Sequence, residues 1–151
     1  MPAPTSPPDP PPKDVVDVVA AVVRDRQGRL LIGQRPDHKR HGGLWEFPGG
    51  KVDAGESLAR AVARELLEEL DLRTHDVAAE PVFAAQDPGQ PFRILFVEAR
   101  VEGTPILREH QAVAWIPLPA PSRYRLAPSD AAFVDALARG AVRLREGLPR
   151  D

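Results

Sequence analysis

Cysteine is missing from all 151 residues, which removes disulfide frameworks and thiolate chemistry together. A chain without disulfides fits a reducing compartment, and the expectation is a soluble cytoplasmic protein. No apolar run approaches the roughly 20 residues of a membrane span, and no signal-peptide pattern opens the chain. An excess of one charge is lacking too: 20 basic residues against 22 acidic ones leave a net charge of −2. That balance argues against a nucleic-acid-sized basic surface and against an acidic tail. The expected partners therefore include neither a membrane nor a nucleic-acid polymer.

Proline, by contrast, is plentiful, and seven of the 18 fall within residues 2–12. Such a segment carries no hydrophobic payload and cannot continue a strand ladder, so residues 1–13 read as an extended tail, a spacer or a proline-rich ligand. Residues 14–140 have one domain's length, and the charged residues 141–151 read as a second tail. Val15 to Val23 is almost wholly β-branched or small, the mark of a strand covered on both faces. A polar turn over 24–28 and an apolar run over 30–35 then predict a hairpin. Residues 36–43 form a polar loop carrying His38, Lys39, Arg40 and His41; it reads as solvated, with positive charge suited to attracting a polyphosphate. Leu44 to Phe47 is a short strand with Trp45 and Phe47 on one face and Glu46 on the other. Further strands are expected over 81–86, 92–101 and 113–118. Ala131, Phe133, Val134, Leu137 and Ala138 mark a helix over 130–139, stopped by Gly140.

The densest signal lies between Gly49 and Leu72, where a glycine-rich turn feeds a helix-like run. Glu65, Glu68 and Glu69 are spaced i, i+3, i+4 and share one stripe, while Ala59, Val62, Ala63, Leu66 and Leu70 fall on another. Like charges at that spacing cost an isolated helix roughly 0.2–0.5 kcal/mol per pair. Clustered carboxylate oxygens suit a hard divalent cation, and Mg²⁺ sits well between carboxylates and substrate phosphates. A solvated acidic face tied down by Glu56–Arg60 and Arg64–Glu68 pairs is the plainer reading of the same residues.

Gly50, Glu56, Arg64-Glu65-Leu66, Glu68-Glu69 and Asp71-Leu72, at these separations, resemble the Nudix box. Six single-residue matches have a chance agreement on the order of 10⁻⁷ per starting point. The box normally has glycine at position 71; an Asp there tolerates a left-handed helix end better than most residues. Leu44 to Lys51, Arg108 to Trp115 and Arg123 to Asp130 are similar to the MutT-like branch, so the resemblance runs from about residue 15 to residue 138. It implies an α/β/α sandwich with a mixed sheet, the box helix packed on it. It also implies cleavage of nucleoside triphosphates to monophosphate and pyrophosphate with Mg²⁺ or Mn²⁺.

Carried over residue by residue, the resemblance makes Glu68 and Glu69 metal ligands and gives Glu65 the metal or the attacking water. Arg64 orients these glutamates and Glu56 supports them. The Gly49 carbonyl completes the metal shell, Gly50 belongs to the phosphate turn, and Arg35 and Lys51 lie near the phosphates. Glu109 matches a late glutamate that ligates metal or acts as base, although by spacing it is an ordinary loop acid. Phe47 matches a residue that packs on the base, yet also reads as core. Ser129 and Asp130 match positions that read the base edge, yet Pro-Ser-Asp also suits a helix N-cap. An ionised Asp130 accepts hydrogen bonds and cannot donate them, which suits the amino edge of cytosine (CTP, dCTP) or of an oxidised guanine (8-oxo-dGTP) and disfavours uracil. Two alternatives stay open: cleavage of another nucleoside diphosphate derivative such as ADP-ribose, to which Pro88 would point, and a catalytically silent nucleotide sensor.

Overall fold

The computed structural model describes residues 15–86 and 89–145. The expected tail over 1–13, Pro88 and the end of the chain beyond residue 145 lie outside them.

The β-branched run forms β1 (Val16–Val23), and it sits inside a five-stranded sheet. It runs parallel to β7 (Phe92–Glu102), in register from Val16 opposite Phe92 to Val23 opposite Ala99, and antiparallel to β4 (Gly49–Lys51). β7 also pairs antiparallel with β5 (Arg73–Val77) and β6 (Phe83–Gln86). A second, antiparallel sheet has the order β3 (Trp45–Glu46), β2 (Leu30–Gln34), β8 (Ala112–Ile116). The expected hairpin between the first two strands is thus absent. One bridge links Arg24 to Leu30, and the strands then part into different sheets. A strand buried on both faces belongs at a sheet's centre, and β1 finds its neighbours in β7 and β4.

The two helices cover opposite faces of the larger sheet, as side-chain alternation along β1 makes plain. Val19, Ala21 and Val23 join a cluster with Ala61, Val62, Leu66 and Leu70 of α1 (Leu58–Leu70). Ala20 and Val22 join one with Phe47, Phe96, Phe133 and Val134, the last two from α2 (Pro128–Ala138). This is the expected α/β/α layering with mixed strand directions. Ala61 takes the core place expected of Ala59 and Ala63. Among the described residues no helix is long and apolar enough to cross a membrane.

Packing explains why α1 tolerates its crowded acids. Val62, Leu66 and Leu70 are fully buried, at about 1.5–3 kcal/mol each, which outweighs carboxylate repulsions of roughly 0.2–0.5 kcal/mol per pair. Ser57 caps the helix start by accepting from the Arg60 N–H at 3.1 Å. Asp71 ends it at φ 56°, the left-handed conformation expected of the residue standing in for glycine. Its carboxylate also pairs with Arg108 at 2.9 Å, a tie a glycine would lack.

The C-terminal segment departs from expectation at its near end. Val142 and Leu144 pack on the second core cluster, and the Arg145 N–H donates to Glu98 Oε1 at 2.9 Å. The domain therefore continues at least five residues past Gly140.

Candidate active site

α1, β4 and the loop before β8 meet at a cavity of about 260 Å³. Among its walls are Arg35, Phe47, Gly49, Gly50, Glu69, Glu109 and Asp130, seven of the residues expected to be functional. Glu65 touches the same place from the helix: a Cβ on Gly50 would lie 2.5 Å from its carboxylate oxygen. Only glycine lets the turn pass so close to that side chain.

The glutamate stripe divides by depth. Glu69 is buried, Glu65 half-buried and Glu68 exposed. Glu69 accepts from the Gly49 N–H, while its Oε2 is buried with no hydrogen-bond partner. Burial, with Glu65, Glu109 and Glu46 nearby, pushes its carboxyl up to about 9. Burial also raises Glu65, against the pull of Arg64.

Arg64 is the hub that holds the remaining acids. Its guanidinium takes both oxygens of Glu56 at 2.9 Å, Glu65 Oε1 at 2.9 Å and Glu68 Oε2 at 3.3 Å. It also donates to the Lys51 carbonyl at 2.9 Å, tying the turn to the helix. Those hydrogen bonds from Arg64 hold the Glu56 carboxyl down at about 2. Glu56, expected from spacing to pair with Arg60, thus serves Arg64 instead.

A hard divalent cation fits this donor set. The Glu69 oxygen without a partner lies in a cluster of hard carboxylate oxygens that raise one another's proton affinity, and a cation would relieve both costs. Among the described residues, no three acidic or histidine side chains yet stand close enough to grip one ion. Arg64 holds Glu65 and Glu68 in ion pairs instead.

Three expected substrate contacts sit differently. The Lys51 side chain is exposed, over the Phe92 ring at 5.9 Å, and does not line the cavity. Ser129 is buried away from the lining. Phe47 lines the cavity, but its ring is buried in an edge-to-face cluster with Phe96 and Phe133 at 5.8 and 5.4 Å. Asp130 is not an N-cap: α2 starts from Ala127 with no side-chain cap, and Asp130 Oδ1 accepts from the Phe47 N–H at 2.9 Å.

Sequence reasoning missed Glu46 and His110, which also line the cavity, and Lys39 of the positively charged loop joins them there. Glu46 Oε1 pairs with Arg35 at 3.0 Å and its Oε2 meets His110 Nε2 at 3.0 Å. Burial works to raise the Glu46 carboxyl, and the bonds from His110 and Arg35 outweigh it, leaving it lowered. The alternation Trp45-Glu46-Phe47 already set Glu46 apart from the two aromatics; His110 left no local signal beyond its place after Glu109.

A family profile described as the NUDIX domain matches residues 15–137. The CTP pyrophosphohydrolase of Escherichia coli is 35% identical over 141 residues, covering 91% of this chain and 98% of the relative. The 8-oxo-dGTP diphosphatase of Haemophilus influenzae is 29% identical over 126 residues, covering 83% and 93%. Among solved structures, that of the E. coli ORF135 protein superposes with TM-score 0.67 at 37% identity, covering 90% of this chain and 94% of that one. One reported for MutT from Aliivibrio salmonicida and Vibrio cholerae gives TM-score 0.68 at 31% identity, covering 83% and 98%. The matched span, residues 15–137, holds both sheets and the carboxylate helix, so the chain belongs to the NUDIX family, on its MutT-like side.

Proposed function

We propose that this protein is a divalent-metal-dependent hydrolase that cleaves nucleoside triphosphates, CTP and dCTP foremost, to the monophosphate and pyrophosphate. The observation that carries this reading is the buried, unpartnered oxygen of Glu69, a residue with Glu65 and Glu109 nearby, in a cavity that Asp130 also lines. Nudix hydrolases in general require divalent metals; we assign Mg²⁺, or Mn²⁺, to Glu65, Glu68, Glu69, Glu109 and the Gly49 carbonyl. Bound there, a divalent ion would supply charge neutralisation for the phosphate oxygens.

The chain's own residues do the rest. Hydrolysis of a phosphoanhydride needs a positioned water and a group to take its proton, with little covalent help. With Glu68 and Glu69 committed to the ion, one of Glu65 and Glu109 takes the water's proton while the other completes the ligand set. Arg64 keeps the acids in place, and the Gly49-Gly50 turn lets phosphate oxygens approach the backbone. Arg35, and Lys39 from the loop, bring positive charge to the lining. Neutral uracil and thymine edges would set carbonyls against Asp130; cytosine offers its amino group. Oxidised guanine nucleotides form the second class, favoured by the likeness to an 8-oxo-dGTP diphosphatase.

The test is a Mg²⁺-dependent pyrophosphate-release screen over ordinary and oxidised triphosphates, ADP-ribose and dinucleoside polyphosphates. Expected is kcat/KM highest for a cytosine triphosphate, with oxidised dGTP next. Preferential cleavage of ADP-ribose, or binding without turnover, would overturn the reading. Asp130→Asn should narrow the cytosine-over-uracil preference about tenfold, mainly through KM. Its amide oxygen can keep the Phe47 N–H bond, so the melting temperature should stay close to the parent's. An unchanged preference in a folded Asp130→Asn protein would confine Asp130 to bracing α2.

A further inference from the structure

We propose that His110 is a positioning residue: its imidazole, seated in a socket made by Gly33 and Glu46, sets where the Glu109 carboxylate stands. The proposal rests on the assignment of Glu109 to the catalytic cluster.

Gly33 is the floor of the socket. A Cβ at that position would lie 2.6 Å from His110 Cδ2, 2.7 Å from Cγ and 2.9 Å from Nε2, distances real Cβ atoms do not tolerate. β2 therefore presents bare backbone where it meets the ring. Glu46 is the wall: its Oε2 accepts from His110 Nε2 at 3.0 Å, and Arg35 fixes the other oxygen at 3.0 Å. His110 is buried, and an imidazole with its Nε2–H spent on a carboxylate has one orientation available. Glu109 is the adjacent residue, exposed and lining the cavity.

The backbone around the pair is strapped, and the straps leave a gap. The Ile106 N–H bonds the Leu70 carbonyl at 2.8 Å and the Arg108 N–H the Glu69 carbonyl at 3.2 Å, holding the loop to the end of α1. On the other side, the Gln111 N–H bonds the Gln34 carbonyl at 3.0 Å. Between those points only the His110 side chain reaches the protein interior. Without it, residues 109 and 110 span the gap unsupported, and the carboxylate moves with them. A displacement of about 1 Å in a reacting group costs up to about a hundredfold in rate.

The experiment uses the full chain with Mg²⁺ and CTP, or the triphosphate that the screen ranks first. His110→Ala is expected to lower kcat about tenfold to a hundredfold with KM within about twofold. His110→Gln, whose amide can donate to Glu46, should recover most of that loss and serves as the working variant if His110→Ala fails to fold. Gly33→Ala, which touches neither Glu109 nor substrate, should reproduce the kcat defect by evicting the ring. The Gly33→Ala/His110→Ala double variant should then be no worse than His110→Ala alone, because the added methyl occupies the emptied socket.

Glu109→Gln separates the proposal from the reading beneath it. If His110 acts through Glu109, removing the ring in a Glu109→Gln background should cost kcat less than about twofold. Equal losses in both backgrounds, with Glu109→Gln itself impaired, would overturn the positioning role and leave Glu109 in place. Normal turnover in Glu109→Gln would overturn both. A fall in melting temperature without a kcat change, read well below the transition, would reduce His110 to a core residue.

Discussion

Glu69→Gln is expected to abolish turnover and, with metal chelated, to raise the melting temperature. The two effects share one cause. Burial, with Glu65, Glu109 and Glu46 around it, holds the folded-state carboxyl at about 9, against an unfolded value near 4.3. Below about pH 4 both states are protonated and the group is neutral to stability. As pH rises toward 9 the unfolded chain gives up this proton while the folded protein keeps it or pays to lose it. Stability is therefore drained between those values. A glutamine is always in the uncharged form, so the drain disappears. The metal-free gain should grow from nothing near pH 4 to a few kcal/mol near pH 8. For a domain of this size that is several degrees in melting temperature. Turnover at saturating Mg²⁺ should fall by about a thousandfold or more, because an amide replaces an anionic ligand. Scanning calorimetry in chelator at two pH values, with steady-state rates in Mg²⁺, covers both halves. Near-normal turnover would remove Glu69 from the metal site. A melting point lowered at both pH values would make its Gly49 bond structural.

Arg64→Lys, a swap that keeps the charge, should cost about a hundredfold in kcat and also lower the melting temperature. One guanidinium reaches Glu56 with two bonds, Glu65 and Glu68 with one each, and the Lys51 carbonyl with another. A lysine ammonium has three donors around a point and cannot present that planar fork. Glu56 would lose its bidentate partner, and its carboxyl would rise from about 2 toward the ordinary range. Glu65 and Glu68 would lose their common anchor. Because Glu56 acts through Arg64, the defects of Glu56→Gln and Arg64→Lys should overlap rather than multiply. Rates for the two single variants and the double, beside their melting curves, decide it. Retention of kcat within about threefold in Arg64→Lys would show that charge alone suffices at this position.

How much of this was legible in the sequence depended on how local each feature is. The glutamate stripe, the left-handed end at Asp71 and the buried character of β1 all follow from neighbours within a few residues, and all are present. β5 escaped notice because Arg73-Thr74-His75-Asp76-Val77 is a largely exposed edge strand with no apolar alternation to mark it. β4 reads as a turn because two of its three residues are glycine. The expected hairpin is absent because β1 finds its partners in β4 and, far down the chain, in β7, and not in the strand next to it in sequence. The same distance hid the site's inner contacts. Glu46 meets His110 and Phe47 meets Asp130 only after both sheets and α2 have closed, and no spacing rule reaches across such gaps. Lys51 misled for a different reason: a strand's alternation turned it outward while its neighbours faced in.

The parallel pairing of β1 with β7 also dictates an order of events during synthesis. Val16 must wait for Phe92, and Val23 for Ala99, before the central ladder of the sheet can close. Until then a nascent chain carries Val-Asp-Val-Val-Ala-Ala-Val-Val with its long β7 edge open and a single charge to guard it. Such a segment is adhesive toward other strands, and long-range closures of this kind set slow folding rates. The intervening residues include α1, which can form early from its own turn-by-turn bonds and cover one face of the waiting strand. Slowed translation or lowered growth temperature, by giving that helix time to dock, should therefore raise the soluble yield of this protein more than it changes the activity of each folded molecule.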